Sequence, residues 1–259
     1  MKYVLTIAGS DSSGGAGVQA DLKTISYLGA HALTAITAVT AQSSRKINSI
    51  HAIPARFIFR QIETILEDLT PDAVKIGMLY TSGAVSAIID ILTAHRLEPV
   101  VIDPVLRAST GRELLEREAI TAMKEKLFPL VKAVTPNIYE AGLLADMRVE
   151  SVDQMMRAAE IINRMGPDVI VTGGHLEGKI VDILYNGKAL TMFEGDRIDT
   201  YHTHGTGCIF SSSLATFLAL GESMESATKM AHDFTRKAIM EGYPCGKGHG
   251  PARAWPTAP

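Results

Sequence analysis

Cysteine is scarce in this chain: 259 residues hold two, Cys208 and Cys245. Two cysteines make no disulfide framework, and a reducing cytoplasmic setting is the simplest expectation. An excess of one charge is also lacking. The 25 Lys and Arg against 28 Asp and Glu leave a formal net charge of −3 with no basic cluster. That disfavours a nucleic-acid or anionic-membrane surface. No stretch reaches the roughly 20 apolar residues of a membrane span. The run Met1–Gly9 is too short for a signal peptide and passes straight into Gly-Ser-Asp turn chemistry. The histidines show no metal-ligand spacing. Linkers, repeats and low-complexity tracts are missing too. One domain over residues 1–259 is therefore expected, with 251–259 as a loose tail. Hydrophobic residues, by contrast, reach 46% against 20% charged, enough for a substantial core.

Short apolar runs alternate with helical patterns from end to end. Strands are expected at Tyr3–Ala8, Ala32–Val39, Ala73–Ile76, Pro99–Ile102, Val131–Val134 and Asp168–Val171. Helical spacing follows in Val18–Leu28, Arg56–Leu69, Ala84–Leu92, Ala119–Leu127, Ile138–Leu144 and Val152–Arg164, and two long helices finish the chain by about Gly242. Apolar strands without alternation predict a mostly parallel sheet covered on both faces. Asn186-Gly187 between Val181–Tyr185 and Ala189–Phe193 is a hairpin signal and adds a late antiparallel edge. In such an α/β sheet, ligands sit beyond the carboxyl ends of the strands. Ser10, Asp11, Gln42, Met78, Asp103, Asn137 and Thr172 all fall there.

The stretch Thr203-His204-Gly205-Thr206-Gly207-Cys208 carries the most chemistry. Glycines flanking a threonine turn the backbone tightly, and the helix behind them adds unpaired N–H groups and a positive dipole end. That makes an anion hole, and phosphate is its usual guest. A cysteine at a helix entrance is expected to have a lowered thiol pKa. The same letters also suit a plain strand-to-helix turn. Asp11-Ser12-Ser13-Gly14-Gly15-Ala16-Gly17 is a second glycine-rich turn, with neither dinucleotide nor Walker spacing. It suits a structural turn and a substrate loop equally. Asp103 is either a helix cap or a carboxylate serving a magnesium network. Asn137 and Glu140 suit a capping box as well as nucleotide-bound magnesium. His204 and His175 are loop residues within reach of a phosphate. Cys245 has no such neighbourhood and is expected to be inert.

In this order the pieces resemble the hydroxymethylpyrimidine and hydroxymethylpyrimidine-phosphate kinases of thiamine synthesis, within the ribokinase-like family. The resemblance runs through Leu5–Asp11, Ser13–Gly17, Gln19–Thr24, Thr40–Gln42, Lys75–Leu79, Asp103–Val105, Thr135–Asn137 with Glu140, Gly173–His175, Thr203–Cys208 and Gly248–Pro251. It covers essentially the whole chain. It implies a three-layer α/β/α fold and ATP-dependent phosphorylation of a hydroxymethyl group on a small heteroaromatic ring. It also implies a second phosphorylation, of the monophosphate, in the same site. By position, Gln42 would bond the aminopyrimidine edge, and Gly9, Ala16, Asp21, Met78 and Val105 would line the substrate pocket. Asn137, Thr172 and Gly174 would meet the nucleotide. Asp103 and Glu140 would belong to the Mg2+ network, Glu140 directly or through water. Gly205, Thr206 and Gly207 would form the anion hole, with Cys208 facing the substrate hydroxyl as catalytic base or close contact. The resemblance implies a homodimer.

The chain departs from the pattern twice. Thr172 stands where the family usually has lysine before Gly-Gly-His, and no lysine follows Val105 in Leu106–Gly111. Arg107 and Arg45 are the cations available to compensate. Two alternatives stay open. One is a pyridoxine/pyridoxal kinase, whose substrate is also a hydroxymethyl heteroaromatic. The other is a regulatory relative that holds the pyrimidine with weak or no turnover.

Overall fold

A computed structural model describes residues 1–107, 111, 113–174, 176 and 178–257. Among these, nine strands form one sheet in the order β3-β2-β1-β4-β5-β6-β7-β8-β9. β1 (Tyr3–Ser10), β2 (His31–Gln42), β4 (Ala73–Ile76), β5 (Val100–Ile102), β6 (Ala133–Val134) and β7 (Asp168–Val171) run parallel. β8 (Ile180–Tyr185) and β9 (Leu190–Gly195) are the expected antiparallel hairpin, paired through Tyr185 and Leu190. The chain steps one way from β1 to β2 and then the other way to β4. The switch therefore falls between β1 and β4, where a crevice opens at the strand ends.

The buried residues of the strands sort onto two faces. Leu5, Ile7, Val74, Ile76, Val100 and Ile102 join the core under α2 (Ala55–Leu66), α3 (Ser82–Ala94), α4 (Arg117–Ala122), α5 (Ile138–Ala145) and α6 (Val152–Asn163). Val4, Ala73, Val101, Ala133 and Ile170 pack against α1 (Gly17–Tyr27), α7 (Thr206–Ala219) and α8 (Met224–Met240). This is why the central strands lack polar alternation: neither face meets water. α7 is buried almost throughout. Its hydroxyls are satisfied within the helix: Ser212 donates to the Cys208 carbonyl at 2.5 Å and Thr216 to that of Ser212 at 2.7 Å. A buried helix can carry serines on these terms.

Three expectations change. β3 (Ile47–Ala52) was not expected; it pairs antiparallel with β2 at the sheet edge and is half exposed, so it carries no continuous apolar run. The helix expected over Ala119–Leu127 stops as α4 at Ala122 and continues as a wider π turn to Leu127, ahead of Pro129. The closing segment is not loose over 251–257. Pro251 pairs with His204, Ala252 and Ala254 are buried against Ala20, Ile209 and Ala238, and Lys23 lies 4.9 Å over the Trp255 ring. Residues 258–259 lie outside the described residues.

Deleting residues 251–259 therefore lowers the melting temperature by roughly 5 °C or more, measured by thermal unfolding, because it uncovers α1 and α8. A loose tail would leave the transition in place.

Candidate active site

Two helix mouths meet at the carboxyl end of β1. α7 opens at Gly205, whose φ of +83° suits glycine, and no side chain caps its first turn. A Cβ on Gly205 would sit 2.0 Å from the Gly15 carbonyl oxygen, so the two glycine-rich turns are in direct contact. Gly17, with φ +58°, opens α1 and leaves as little room, here against the Gly9 carbonyl. The Gly17 N–H is a hydrogen-bonding neighbour of the Cys208 sulfur. The two helix starts thus lie side by side; Asp11 engages the amides of Ser13, Gly14, Gly15 and Ala16, so the anion-hole expectation falls on the uncapped first turn of α7.

Asp11 holds this arrangement. Its carboxylate accepts from the Ser13 N–H and hydroxyl at 2.8 and 2.7 Å and from the amides of Gly15 and Ala16 at 3.2 and 2.9 Å. It also meets His204 Nε2 at 2.9 Å. Burial alone would push the Asp11 carboxyl up, but the His204 and Ser13 bonds hold it at about 2. The signal was present in the sequence: an aspartate two residues before a serine, opening a glycine turn, is an Asx-turn signature.

The floor is acidic. Asp103, just past β5, accepts from the Ser211 hydroxyl at 3.2 Å, and a Cβ on Gly207 would lie 3.4 Å from its Oδ2. Asn137 and Glu140 form a capping box at the start of α5. Glu140 also accepts from the Leu106 amide at 3.3 Å, so each of its oxygens already holds a main-chain N–H. The capping role of Glu140 is therefore realised. Burial pushes the Asp103 carboxyl up to about 6, Lys75 opposing and Asp21 adding to it. Burial and the neighbouring Asp103 charge push Glu140 up to about 8. Two buried carboxylates, both raised by burial, suit a divalent cation with hard oxygen preference. No set of three His, Cys, Asp or Glu fit for a metal occurs among the described residues, so phosphate oxygens and water would complete its shell. With its oxygens engaged, Glu140 would reach the ion through water.

The remaining predicted residues divide. Met78 lies against Gly9, its sulfur 3.2 Å from where a Cβ would be. Asn137 and Thr172 are bridged, the Thr172 amide donating to Pro136. Gly174 stands at the open side, with nothing within 4 Å of a would-be Cβ. Gln42 lines a cleft of about 270 Å³ with Gly15, Ser44, His204, Cys245 and His249. Cys245 was expected to be inert, yet the glycine-rich closing segment folds it into this cleft wall. A larger hollow of about 570 Å³ runs along α6 beside Leu190 and contains none of the predicted residues. His175 and 108–110 lie outside the described residues. Arg107 is occupied with the Gly111 carbonyl at 2.7 Å and lies 5.2 Å over the Tyr139 ring.

Two expectations are overturned. Asp21 does not line a pocket: it is fully buried, and its oxygens take the Lys75 ammonium at 2.9 and 3.0 Å and the Thr6 hydroxyl at 2.6 Å. The Cys208 thiol is not lowered. It is partly accessible, yet desolvation at the helix mouth pushes it up to about 12, the Asp21 and Asp103 charges adding to the rise against Lys75. Lys75 itself was missed. A lysine inside a short apolar strand without alternation is its own signal, because it needs a buried partner.

Amide donors facing an acidic floor, beyond the ends of a parallel sheet, suit phosphoryl transfer; the arrangement is that of a ribokinase-like small-molecule kinase. The profile of the phosphomethylpyrimidine kinase family matches residues 11–253, and the chain belongs to that family. It is 44% identical over 250 residues to the thiamine biosynthesis bifunctional protein ThiED of Geobacter sulfurreducens, covering 96% of this chain and 51% of that protein. It therefore spans about half of that relative's length. It is 41% identical over 262 residues to the hydroxymethylpyrimidine/phosphomethylpyrimidine kinase of Haemophilus influenzae, covering 98% and 97% of the two chains. Among solved structures, the ADP complex of Bacillus subtilis pyridoxal kinase superposes with a TM-score of 0.92 at 38% identity, covering 98% of this chain and 97% of that one.

The Asp11 carboxyl gives a pH test. Held at about 2 against an ordinary 3.8, it stabilises the fold above pH 3.8, and this contribution is lost as pH falls through about 2. Asp11→Asn is expected to lose about 1–3 kcal/mol of stability at pH 7. Urea unfolding at stepped pH should show the gap to wild type closing between pH 3.8 and 2.

Proposed function

We propose that this kinase transfers the γ-phosphoryl group of ATP to the hydroxymethyl group of 4-amino-5-hydroxymethyl-2-methylpyrimidine, and then to the resulting monophosphate, in thiamine biosynthesis. The observation that carries this reading is the uncapped mouth of α7 packed against the Asp11–Gly17 turn beside Cys208. Gln42 bonds the ring edge, while Gly9, Ala16, Met78 and Val105 shape the ring's seat. Asn137, Thr172 and Gly174 meet the nucleotide.

Phosphoryl transfer asks for alignment and charge stabilisation more than covalent chemistry. The amides of Gly205, Thr206 and Gly207 meet the charge as it develops, the Thr206 N–H exchanging its 3.3 Å bond to the Thr203 carbonyl for a phosphate oxygen. With its pKa near 12, the Cys208 thiol is protonated in the resting enzyme. It holds the substrate alcohol in line as a hydrogen-bonding contact, and the alcohol's proton passes late, as the new P–O bond forms, to an oxygen of the transferred phosphoryl group, which a loose transition state permits. Mg2+, when bound, supplies charge neutralisation on the phosphates. Asp103 would hold it, with Glu140 acting through water.

The high likeness to a pyridoxal kinase favours one further substrate, pyridoxal, at the same site. A cytoplasmic homodimer is part of the proposal. The two free cysteines support the cytoplasmic setting, as does the lack, among the described residues, of a helix long and apolar enough to cross a membrane.

An ATP-dependent phosphorylation assay with hydroxymethylpyrimidine, its monophosphate and pyridoxal in parallel tests the reading. Turnover of the two pyrimidines is expected; pyrimidine binding without ATP consumption would refute it. Cys208→Ala should lower kcat about a hundredfold with ATP binding by calorimetry unchanged. Normal turnover in that variant removes Cys208 from the mechanism.

A further inference from the structure

Lys75 is a buried charge that the chemistry above leaves unused. It lies on β4 in register with Thr6 of β1 and Val101 of β5. It shares the face that looks toward α1 and α7, and no part of it reaches solvent. Two ammonium contacts go to the Asp21 oxygens, at 3.0 and 2.9 Å. The side chain runs toward the strand's carboxyl end, where a Cβ on Gly77 would come within 2.7 Å of Nζ. The next residue, Met78, backs Gly9. The lysine therefore sits directly beneath the site floor, and its charge acts on both Cys208 and Asp103.

Asp21 gives the pair a second route to the site. It lies one helical turn after Gly17, the residue that opens α1. Gly17 presents its N–H to the Cys208 sulfur. A bond that ties Asp21 to β4 therefore also fixes the amide against which the thiol rests. Well-packed apolar residues would hold β1, β4 and α1 together equally well, so adhesion alone does not account for a fully buried ion pair.

We propose that the Lys75–Asp21 pair is a positioning device for phosphoryl transfer, aligning the Cys208 side chain through Gly17 and setting a positive potential beneath it. The proposal rests on the placing of Cys208 at the substrate hydroxyl argued above.

The test is a double-mutant cycle. Lys75→Met/Asp21→Leu removes both charges at similar volume and is compared with wild type, in the native and Cys208→Ala backgrounds. Melting temperature confirms folding, calorimetry reads ATP binding, and steady-state rates separate kcat from KM. The expected result is a folded enzyme with unchanged ATP affinity and KM and a kcat about tenfold lower. No further loss is expected in the Cys208→Ala background. Retained kcat in the folded double variant overturns the proposal, as do equal losses in both backgrounds. Full turnover of Cys208→Ala on its own refutes the placing of Cys208, and with it the proposal, before the pair is touched. Should the double variant not fold, Thr6→Val removes one Asp21 bond and keeps both charges. A kcat loss confined to the native background then supports the proposal, and an unchanged kcat overturns it.

Discussion

The contact between two glycine-rich turns is the constraint from which the site follows. One turn ends β1 and the other precedes α7, nearly two hundred residues later in the chain. They touch where neither tolerates a side chain, at Gly15 and Gly205. Asp11 makes that contact specific by gathering the amides of its own turn and the ring of His204. Once the turns are joined, the amino ends of α1 and α7 stand side by side, with the first turn of α7 left uncapped. Positive potential is built there without spending a mobile side chain on it, and little reorganisation is left for the moment of reaction.

Opposite that cradle the protein keeps its negative charges buried. Asp103 follows β5 and Glu140 lies in the first turn of α5; burial raises both, and the Asp103 charge adds to the rise at Glu140. Asp21 and Lys75 occupy the level beneath. Burial alone would push the lysine down, but Asp21, with Cys208 and Asp103 behind it, holds it above the ordinary lysine value. Acid, base and cation are thus layered on one sheet: amides above, paired carboxylates beside, an ion pair below. The layering explains why a cysteine at a helix start remains a thiol. Desolvation and two nearby carboxylates outweigh the dipole and one lysine.

Local patterns made most of the architecture legible. β4 and β7 match their expected bounds, and the Asn-Gly hairpin is where the turn chemistry puts it. β3 escaped notice because an edge strand with one wet side shows no apolar run. The closing segment looked loose because its alanines, glycines and prolines have no periodicity; what seats it is the fit of small side chains between α1 and α8. In the site, the structure brings Asp103 against the turn that opens α7, two pieces the sequence pattern assigns to one crevice. Position along the chain could not tell which carboxylates face the crevice and which face the core. Asp21 and Asp103 look alike in sequence, and only the register of Lys75 against Thr6 separates them. Cys245 was likewise invisible, because a loop bends it back to Gln42 from across the molecule.

The outer wall of the cleft is built by the stretch after α8, where Cys245 and His249 hang from glycine-rich backbone. Among the described residues the stretch contributes no strand to the sheet. Gly250 and Ala252 nonetheless bond the main chain of His204, so substitutions here reach the cleft and the turn before α7 together. A change in this outer wall is therefore carried inward along the main chain to the glycine-rich turn, so the two ends of the cleft evolve as one piece.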